Sequence, residues 1–346
     1  MLMDMSWQHP RAGELPDSRV VTPKRTNMKN FSLFLTFIIL TSLACNLAQG
    51  ATPAATIQPI ETATQPTVSA EGEAGASSST FDSSKLGTVE KDITYCTMDG
   101  IALKLDIYYP DSASPWPVTM YVHGGGWSSG DKAQGAGALE IPALQRAGFL
   151  VVAINYRLAP ENPFPAMIED AKCAVRYLRA HAGEYNLDPN RIGVWGGSAG
   201  GHLVNLLGTT DESAGFDVGE YLDQSSRVQA VVDMFGPTDL TVQFEGGYEG
   251  ASRVFAGFDA ALASPVTYVT PDDPPFLLFH GDSDPLVPIE QSRILLAALQ
   301  AAGVPAELVL VENAGHSFKP EEGKTISPSR QEIAQMVVEF FEEQLK

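Results

Sequence analysis

Basic residues are scarce in this sequence of 346 residues: 22 Lys and Arg stand against 42 Asp and Glu, which gives a net charge of −20. A chain with this balance repels phosphate backbones, so we expect no nucleic-acid partner. Hydrophobic residues make up 44% of the chain, which is enough apolar side chain for a sizeable core. The shortage of positive charge therefore argues against a nucleic-acid partner, while the apolar content is compatible with a folded enzyme.

Cysteine is also scarce, with three residues in the whole chain. Three cysteines cannot build a disulfide framework, and no tight cluster of Cys and His indicates structural zinc, so we expect no metal site. We expect Cys96 and Cys173 to be separate buried thiols. A disulfide between them is the alternative, which an extracytoplasmic location permits.

The chain has one pronounced apolar run, and it is too short to span a bilayer comfortably, since about 20 residues are needed. This run, residues 31–44, follows basic residues at positions 24, 25 and 29. A basic segment before a short apolar one is typical of a secretory signal. We therefore expect residues 1–45 to be a signal region and the protein to be secreted or held at the cell surface.

Both ends of this signal region allow two interpretations. Met28 directly precedes the last of the basic residues, so translation that starts there is an alternative to translation of residues 1–27. Residues 42–45, Ser-Leu-Ala-Cys, resemble a bacterial lipobox, in which Cys45 becomes the lipidated N-terminus. Residues 48–50, Ala-Gln-Gly, instead fit cleavage to a soluble product. Contact with a membrane is thus expected only through a lipid on Cys45.

The segment after the signal region is rich in Ala, Thr, Pro, Ser and Gly. Residues 46–85 show no apolar periodicity and cannot bury a core, which predicts a disordered tether. The remaining residues, 86–346, have the length of one α/β domain. The sequence therefore predicts three parts: a signal region, a tether and a single folded domain.

Strand and helix patterns alternate along residues 86–346. Short apolar segments predict strands at residues 89–97, 103–109, 118–123, 150–155, 192–195, 228–235, 276–280 and 306–311. Apolar residues at helical spacing predict helices at residues 141–148, 166–182, 288–302 and 329–344, with a further one that ends near residue 207. The alternation predicts an α/β fold: a mostly parallel sheet with helices on both faces, begun by an antiparallel hairpin. Residues 238–270 break the alternation, and a small lid or cap is expected there.

Ser198 lies in the sequence Gly196-Gly197-Ser198-Ala199-Gly200, which fits the pattern G-x-S-x-G. The pattern falls between a predicted strand and a predicted helix, which is the context of a nucleophile elbow. So sharp a turn leaves no room for side chains at the flanking positions, and it raises the serine hydroxyl at the carboxyl edge of the sheet. We therefore predict that Ser198 is a catalytic nucleophile.

A serine hydroxyl is a poor nucleophile without a neighbouring base. His316 is the candidate base, because it follows the last predicted strand in a loop that can reach the edge carrying Ser198. The orienting acid is expected between them, in the chain order Ser, Asp, His. Asp284 is the favoured acid, and Asp282 is the alternative, although its position is also that of a turn former.

Residues 123–127, His-Gly-Gly-Gly-Trp, follow a predicted strand and match the HGGG-type loop that forms an oxyanion hole. Acyl transfer needs N–H donors aimed at the developing oxyanion. We predict that the N–H groups of Gly125, Gly126 and Ala199 are these donors. Trp127 is expected either to line the substrate pocket or to pack in the core.

These motifs together resemble the α/β-hydrolase esterases, with the closest resemblance to the acetyl-xylan/feruloyl esterase-like (BD-FAE-like) branch near the hormone-sensitive-lipase-like group. The resemblance covers residues 86–346 and rests on HGGGW at 123–127, NYRLAPENPFPA at 155–166, DPNRIGVWGGSAGG at 188–201, SPVTYVTPDDPPFLLFHGDSDPLVP at 264–288 and NAGHSF at 313–318. It implies an α/β-hydrolase fold. It also implies that Asp284, in the motif Asp-x-x-Val-Pro, is the triad acid.

Two departures from the hormone-sensitive-lipase-like pattern concern the site. Those enzymes usually read GDSAGG at the nucleophile, whereas position 197 here is glycine. They also carry a helical N-terminal cap, for which the predicted tether leaves no sequence. Both departures favour the feruloyl/acetyl esterase-like branch, with a small or absent cap and a relatively open site.

The resemblance implies a serine carboxylesterase that works through an acyl-enzyme and needs neither a metal nor an organic cofactor. Short-chain or aryl esters are the expected substrates, such as acetyl or feruloyl groups on small molecules or plant polysaccharide. A serine peptidase or an arylformamidase on the same fold is an alternative. A non-catalytic binding module on a hydrolase scaffold is the alternative from another class.

Overall fold

The computed structural model describes residues 81–113, 115–242 and 252–346. The predicted signal region, Cys45 and most of the predicted tether lie outside these ranges and stay predictions. Phe81 packs its ring against Tyr109 and Trp116, at centroid distances of 5.7 and 5.0 Å. Residues 81–85, which the sequence pattern assigns to the tether, therefore belong to the packed part of the chain.

The predicted antiparallel hairpin forms one edge of the sheet. Strands β1 (Val89–Met98) and β2 (Ile101–Tyr108) pair antiparallel. Asp99 and Gly100 form the connecting turn, with φ angles of 52° and 79°. A pair of positive φ angles is what an Asp-Gly turn supplies in a two-residue hairpin, so the prediction of the hairpin is confirmed.

Six further strands complete one eight-stranded sheet. They are β3 (Trp116–Val122), β4 (Leu150–Ile154), β5 (Leu187–Gly197), β6 (Ala230–Met234), β7 (Phe276–Gly281) and β8 (Ala306–Val311). The spatial order is β1-β2-β4-β3-β5-β6-β7-β8, and the pairs from β4 to β8 are parallel. Every residue of β3 and β4 is buried, as expected for strands covered on both faces, and the predicted mostly parallel sheet is confirmed.

Helices cover both faces of this sheet. Those in the described ranges are α1 (Ile141–Arg146), α2 (Ala166–Ala180), α3 (Ala182–Tyr185), α4 (Ala199–Thr209), α5 (Glu290–Ala302) and α6 (Arg330–Leu345). Met120 and Tyr121 are neighbours in β3 but belong to different core layers, because strand side chains alternate between faces. Leu203 of α4 lies in the layer of Met120, and Phe341 of α6 lies in that of Tyr121. None of these described helices combines the length and hydrophobicity that crossing a membrane requires.

Cys96 of β1 and Cys173 of α2 form a disulfide, so the expectation of two separate thiols is wrong. Both residues are buried, as expected, but α2 packs against β1 and brings the two side chains together. The two cysteines are 77 residues apart in the chain. The pairing depends on which faces of β1 and α2 meet, and the sequence pattern does not define that.

Residues 238–270, where a lid or cap is expected, pack beside α4 in their described part. Val254 and Phe255 are buried, and the carbonyl of Val254 accepts a hydrogen bond from the Phe164 N–H at 2.8 Å. The 3₁₀ turn Pro265–Tyr268 contacts α4. The described residues of this segment therefore extend the core on the α4 side, and residues 243–251 lie outside the described ranges.

Candidate active site

Ser198 stands at the turn between β5 and α4, where the sequence pattern places it. Its φ and ψ angles are 57° and −120°. A residue other than glycine adopts such angles at a cost in free energy, and strain of this kind clusters at functional sites. The Ser198 N–H donates to the carbonyl of Met234 at 2.9 Å, which fastens the turn to β6.

The glycines around Ser198 are required by close backbone contacts. A Cβ on Gly196 would lie 2.6 Å from the backbone of Gly200. A Cβ on Gly200 would lie 2.1 Å from the carbonyl oxygen of Val122. Side chains do not fit at such distances, so the steric reason that the sequence analysis gives for these glycines is confirmed.

His316 lies in the loop after β8 and contacts both predicted partners. Its Nε2 is 3.0 Å from Ser198 Oγ, and its Nδ1 is 2.8 Å from Asp284 Oδ2. Because an ionised carboxylate can only accept, Nδ1 carries the proton and Nε2 accepts from the Ser198 hydroxyl. The structure thus brings the three predicted residues into one hydrogen-bonded line.

Asp284 is held by donors on both oxygens, and its side chain is fully buried. Oδ1 accepts from the N–H groups of Leu286 and Val287 at 2.8 and 3.0 Å. Burial alone would raise the pKa of this carboxyl. The hydrogen bonds from His316 and Val287 outweigh burial, so the pKa of Asp284 lies below its ordinary value. The carboxyl is therefore ionised at neutral pH.

Asp282, the alternative acid, makes its hydrogen bonds elsewhere. Its side chain is exposed, and Oδ1 accepts from Ser283 Oγ at 3.1 Å and from the Ala314 N–H at 3.3 Å. These bonds stabilise the local turn and the neighbouring loop, which is the role expected of a turn former. The geometry therefore favours Asp284 as the acid that orients the imidazole.

His280 supports Asp284 from the end of β7, a role that the sequence analysis does not assign. Its Nε2 is 2.8 Å from the carbonyl of Val287, and its Nδ1 is 2.7 Å from Ser292 Oγ. Val287 is one of the two residues whose N–H binds Asp284. Burial lowers the pKa of His280, so the ring is neutral and donates to this carbonyl through Nε2.

A cavity of about 430 Å³ opens over Ser198 and His316. Its lining consists mainly of small residues together with two apolar side chains: Gly124, Gly125, Gly126, Gly130, Gln134, Gly135, Ala136, Gly197, Ser198, Phe235, Leu286, His316 and Ser317. Among these lining residues, His316 carries the only imidazole, and none of the others has an acidic or basic side chain. The wall that residues 134–136 form could not be predicted, because the sequence Gln-Gly-Ala carries no catalytic or ligand-binding signal of its own.

Gly125 and Gly126 line this cavity beside Ser198, where oxyanion donors are predicted. Their φ angles are 121° and 60°. A Cβ on Gly125 would lie 2.0 Å from the carbonyl oxygen of Ser129, so a side chain is excluded there. Ala199, the third predicted donor, is the first residue of α4 and is buried next to the serine. Donation by these three N–H groups stays a prediction.

Trp127 is not among the described residues that line this cavity, so the structure favours the alternative of packing over its predicted role in the substrate pocket. Its side chain is 7% exposed, and its ring lies edge-on to His202 and Phe255. The indole N–H donates to His202 Nδ1 at 3.2 Å. The apolar site that receives the ring is formed by α4 and the segment around residue 255, which only tertiary packing brings together.

A second buried carboxylate, Asp233, lies behind the nucleophile turn. Its Oδ1 accepts from the Gly236 N–H at 2.9 Å, whereas Oδ2 is buried without a hydrogen-bond partner in the described structure. Burial raises the pKa of Asp233 to about 6. The fold therefore favours the neutral acid, because an ionised oxygen without a partner is costly to bury.

The substitution Asp233→Asn is expected to raise the free energy of unfolding above pH 6 by up to about 3 kcal/mol. A carboxyl with a raised pKa in the folded state stabilises the fold fully below its unfolded pKa of 3.8, and this contribution is lost as the pH rises through about 6. The amide mimics the neutral acid at every pH and keeps the contribution. Urea unfolding of both proteins between pH 4 and 8 measures the difference. An advantage of the variant that does not grow between pH 4 and 6 contradicts the assignment.

Several known proteins are similar to this chain in sequence. The BD-FAE family model matches residues 105–299, which include Ser198 and Asp284, while His316 lies beyond the match. A probable carboxylic ester hydrolase of Mycobacterium tuberculosis, LipM, is 35% identical over 241 residues, or 64% of this chain and 55% of the relative. The chain spans about half the length of the curated relatives it matches.

Solved structures share the fold. A truncated form of a carbohydrate esterase from gut microbiota is 30% identical with a TM-score of 0.63, covering 76% of this chain and 98% of that one. Esterase 2 of Thermogutta terrifontis, solved with butyrate bound, is 29% identical with a TM-score of 0.63, covering 74% of this chain and 94% of that one. The α/β-hydrolase fold implied by the sequence resemblance is confirmed.

Proposed function

This chain belongs to the BD-FAE family of α/β-hydrolase esterases, and from that premise we propose that it hydrolyses carboxylic esters by serine catalysis. The observation that carries the proposal is the hydrogen-bonded line from Asp284 through His316 to Ser198. A nucleophile in contact with a base that a buried carboxylate orients is the arrangement that acyl transfer needs. Ser198 lines the same cavity as Gly125 and Gly126, two of the predicted oxyanion donors.

In the proposed reaction, Ser198 Oγ attacks the carbonyl carbon of the ester while His316 Nε2 takes the hydroxyl proton. The electron pair of the C=O bond moves onto oxygen, and the N–H groups of Gly125, Gly126 and Ala199 stabilise the resulting oxyanion. His316 returns the proton to the alcohol oxygen as its bond to carbon breaks, which leaves an acyl group on the serine. Water that His316 deprotonates then releases the acid and restores the free enzyme.

We further propose short-chain or aryl acyl groups, such as acetyl or feruloyl, with esters of plant polysaccharide as one source. A volume of about 430 Å³ lies toward the small end of the range of ligand sites, about 300–1,000 Å³. The described residues of the lining include no Asp, Glu, Lys or Arg, which suits a neutral ester. The butyrate bound to Thermogutta terrifontis esterase 2 and the likeness to a carbohydrate esterase from gut microbiota support the same substrate class.

A substrate panel tests this proposal: p-nitrophenyl acetate, methyl ferulate, acetylated xylan, a long-chain triglyceride, N-formylaniline and a peptide p-nitroanilide. We expect kcat/KM for at least one of the first three to exceed that for the triglyceride by at least about a hundredfold. Fastest turnover of the triglyceride contradicts the short or aryl acyl group. The same fold and triad can also hydrolyse amides. Fastest turnover of the formanilide or the peptide therefore contradicts the proposal that esters are the substrates.

We also propose that the protein acts outside the cytoplasm, with or without a lipid on Cys45. The apolar run after a basic segment supports export. The disulfide between Cys96 and Cys173 supports it independently, because disulfides persist in oxidising compartments. Fractionation of cells that express the full chain, with Cys45→Ser as the comparison, tests both parts of the proposal, and recovery of the protein in the cytosol contradicts export.

A further inference from the structure

One wall of the catalytic cavity is built from backbone rather than from side chains. The residues that form it are Gly130, Gln134, Gly135 and Ala136, and three of these four carry no side chain beyond a methyl group. Such a wall cannot select substrates by filling space with a bulky group. The position of its backbone therefore determines how much room lies between it and the opposite side of the cavity.

Three side chains bind the backbone carbonyl groups of residues 134–137, the segment that contains three of the four wall residues, from behind. The Tyr121 hydroxyl donates to Gln134 O at 2.7 Å, and the Trp195 indole N–H donates to Gly137 O at 2.8 Å. Both rings are fully buried in the sheet. The third donor, Arg330 Nη2, binds Ala136 O at 2.6 Å from the first turn of α6.

Arg330 differs from the two aromatic donors because it has two further partners. The same Nη2 lies 3.1 Å from Oε1 of Glu140, whose side chain is fully buried at the start of α1. The guanidinium carbon also lies 5.0 Å from the centre of the Phe318 ring, within range of a cation–π contact. Phe318 is two residues after His316 in the same loop.

Phe318 is connected to His316, the proposed catalytic base, through the ring of Phe235. The Phe318 ring packs edge-on against Phe235 at 4.7 Å, and Phe235 packs edge-on against His316 at 4.9 Å. Phe235 and His316 are both part of the cavity lining, on the side that carries the base. Arg330 is therefore in contact with the backbone wall and with the aromatic packing that supports His316.

We propose that Arg330, paired with Glu140, is a positioning residue that sets the distance between the backbone wall and the His316 side of the cavity, and so limits the size of the ester that is turned over. The inference rests on the proposed esterase function. Arg330 does not line the cavity, so it acts on the substrate only through Ala136 and Phe318. A shift of about 1 Å in the groups that line an active site changes the rate strongly, so a small movement of Ala136 or Phe318 is enough to alter turnover.

The test is the substitution Arg330→Met, which keeps an unbranched apolar stem but removes the charge and the hydrogen bonds. Two substrate series are used: p-nitrophenyl esters from acetate to hexanoate, and acetates of alcohols of increasing size. We expect the preference for the smallest substrate, as a ratio of kcat/KM values, to fall by about fivefold or more in at least one series. This ratio does not depend on the fraction of folded enzyme, so a general loss of stability leaves it unchanged.

Two further variants at this site and one control variant separate positioning from folding. The double variant Arg330→Met with Glu140→Gln removes the carboxylate that the single variant leaves buried without its partner, and the same change in ratio is expected from it. Arg330→Lys retains the charge and one donor and is expected to restore part of the preference. Arg293→Met is the matched control, since Arg293 forms an exposed ion pair with Glu290 on α5, and its ratios are expected to equal those of the wild type.

The outcomes distinguish this inference from the function on which it depends. Wild-type turnover that requires Ser198, together with unchanged ratios in both Arg330 variants and the double variant, contradicts the inference alone. A change of similar size in Arg293→Met also contradicts it, because a remote arginine then has the same effect. Wild-type protein without Ser198-dependent turnover contradicts the proposed function and the inference together.

Discussion

Replacement of Ser198 by alanine is expected to lower kcat for p-nitrophenyl acetate by about a million-fold. The substitution removes the oxygen that lies 3.0 Å from His316 Nε2, and with it the acyl-enzyme on which the proposed reaction depends. The Cβ atom remains, so the positive-φ turn and its hydrogen bond to Met234 are retained. We therefore expect a folded protein without turnover, measured by initial rates and by circular dichroism on the same preparation.

Ser283→Ala is the matched control for this loss. Ser283 is an exposed serine in the loop that carries Asp284, and its hydroxyl binds Asp282 and Glu321. Its kcat is expected to stay within about threefold of the wild type. A fluorophosphonate probe gives a second readout, because wild type and Ser283→Ala should be labelled and Ser198→Ala should not. Labelling or turnover of Ser198→Ala within about tenfold of the wild type means that another group is the nucleophile.

The residues that carry the proposed chemistry could be predicted because their signals are local. The glycines beside Ser198 are required because the sharp turn passes close to its own backbone and to β3, and their close spacing itself indicates the elbow. Asp284 and His316 follow strands whose carboxyl ends meet at one edge of a parallel sheet. Once alternation predicts the sheet, position after a strand is enough to place both side chains near the serine.

Features that depend on which surfaces meet could not be predicted in this way. Cys96 and Cys173 are paired across 77 residues because α2 lies against β1. Trp127 directly follows the predicted oxyanion loop, yet its ring packs against α4 and Phe255. In both cases the residue type suits more than one environment, and only tertiary packing selects between them.

The residues that hold the triad and the cavity wall in place could not be predicted from sequence patterns either. His280 ends a predicted strand, but its hydrogen bonds to Val287 and Ser292 come from a loop and from α5, whose arrangement the strand pattern does not fix. Arg330 reaches the cavity wall from the last helix of the chain. Sequence patterns thus identify groups that react, whereas groups that hold them in place are recognised only from three-dimensional contacts.

The substitution Asp284→Asn is expected to lower kcat/KM for p-nitrophenyl acetate by about ten-thousand-fold. The side-chain oxygen of the variant is needed by the N–H groups of Leu286 and Val287, which bind Oδ1 in the native protein. The amide NH₂ then faces His316 Nδ1, where the native carboxylate accepts. His316 must accept at Nδ1 and carry its proton on Nε2, so it can no longer take the proton of the serine.

Asp282→Asn is the control that decides between the two acids. Asp282 Oδ1 accepts from Ser283 and from the Ala314 N–H, and an asparagine oxygen can accept both bonds. Activity is therefore expected to stay within about threefold of the wild type. Rates of both variants from pH 5 to 9 provide the test, because a wrong tautomer lowers activity throughout this range. A larger loss in Asp282→Asn than in Asp284→Asn would transfer the orienting role to the exposed carboxylate, against the buried, hydrogen-bonded geometry and the lowered pKa of Asp284.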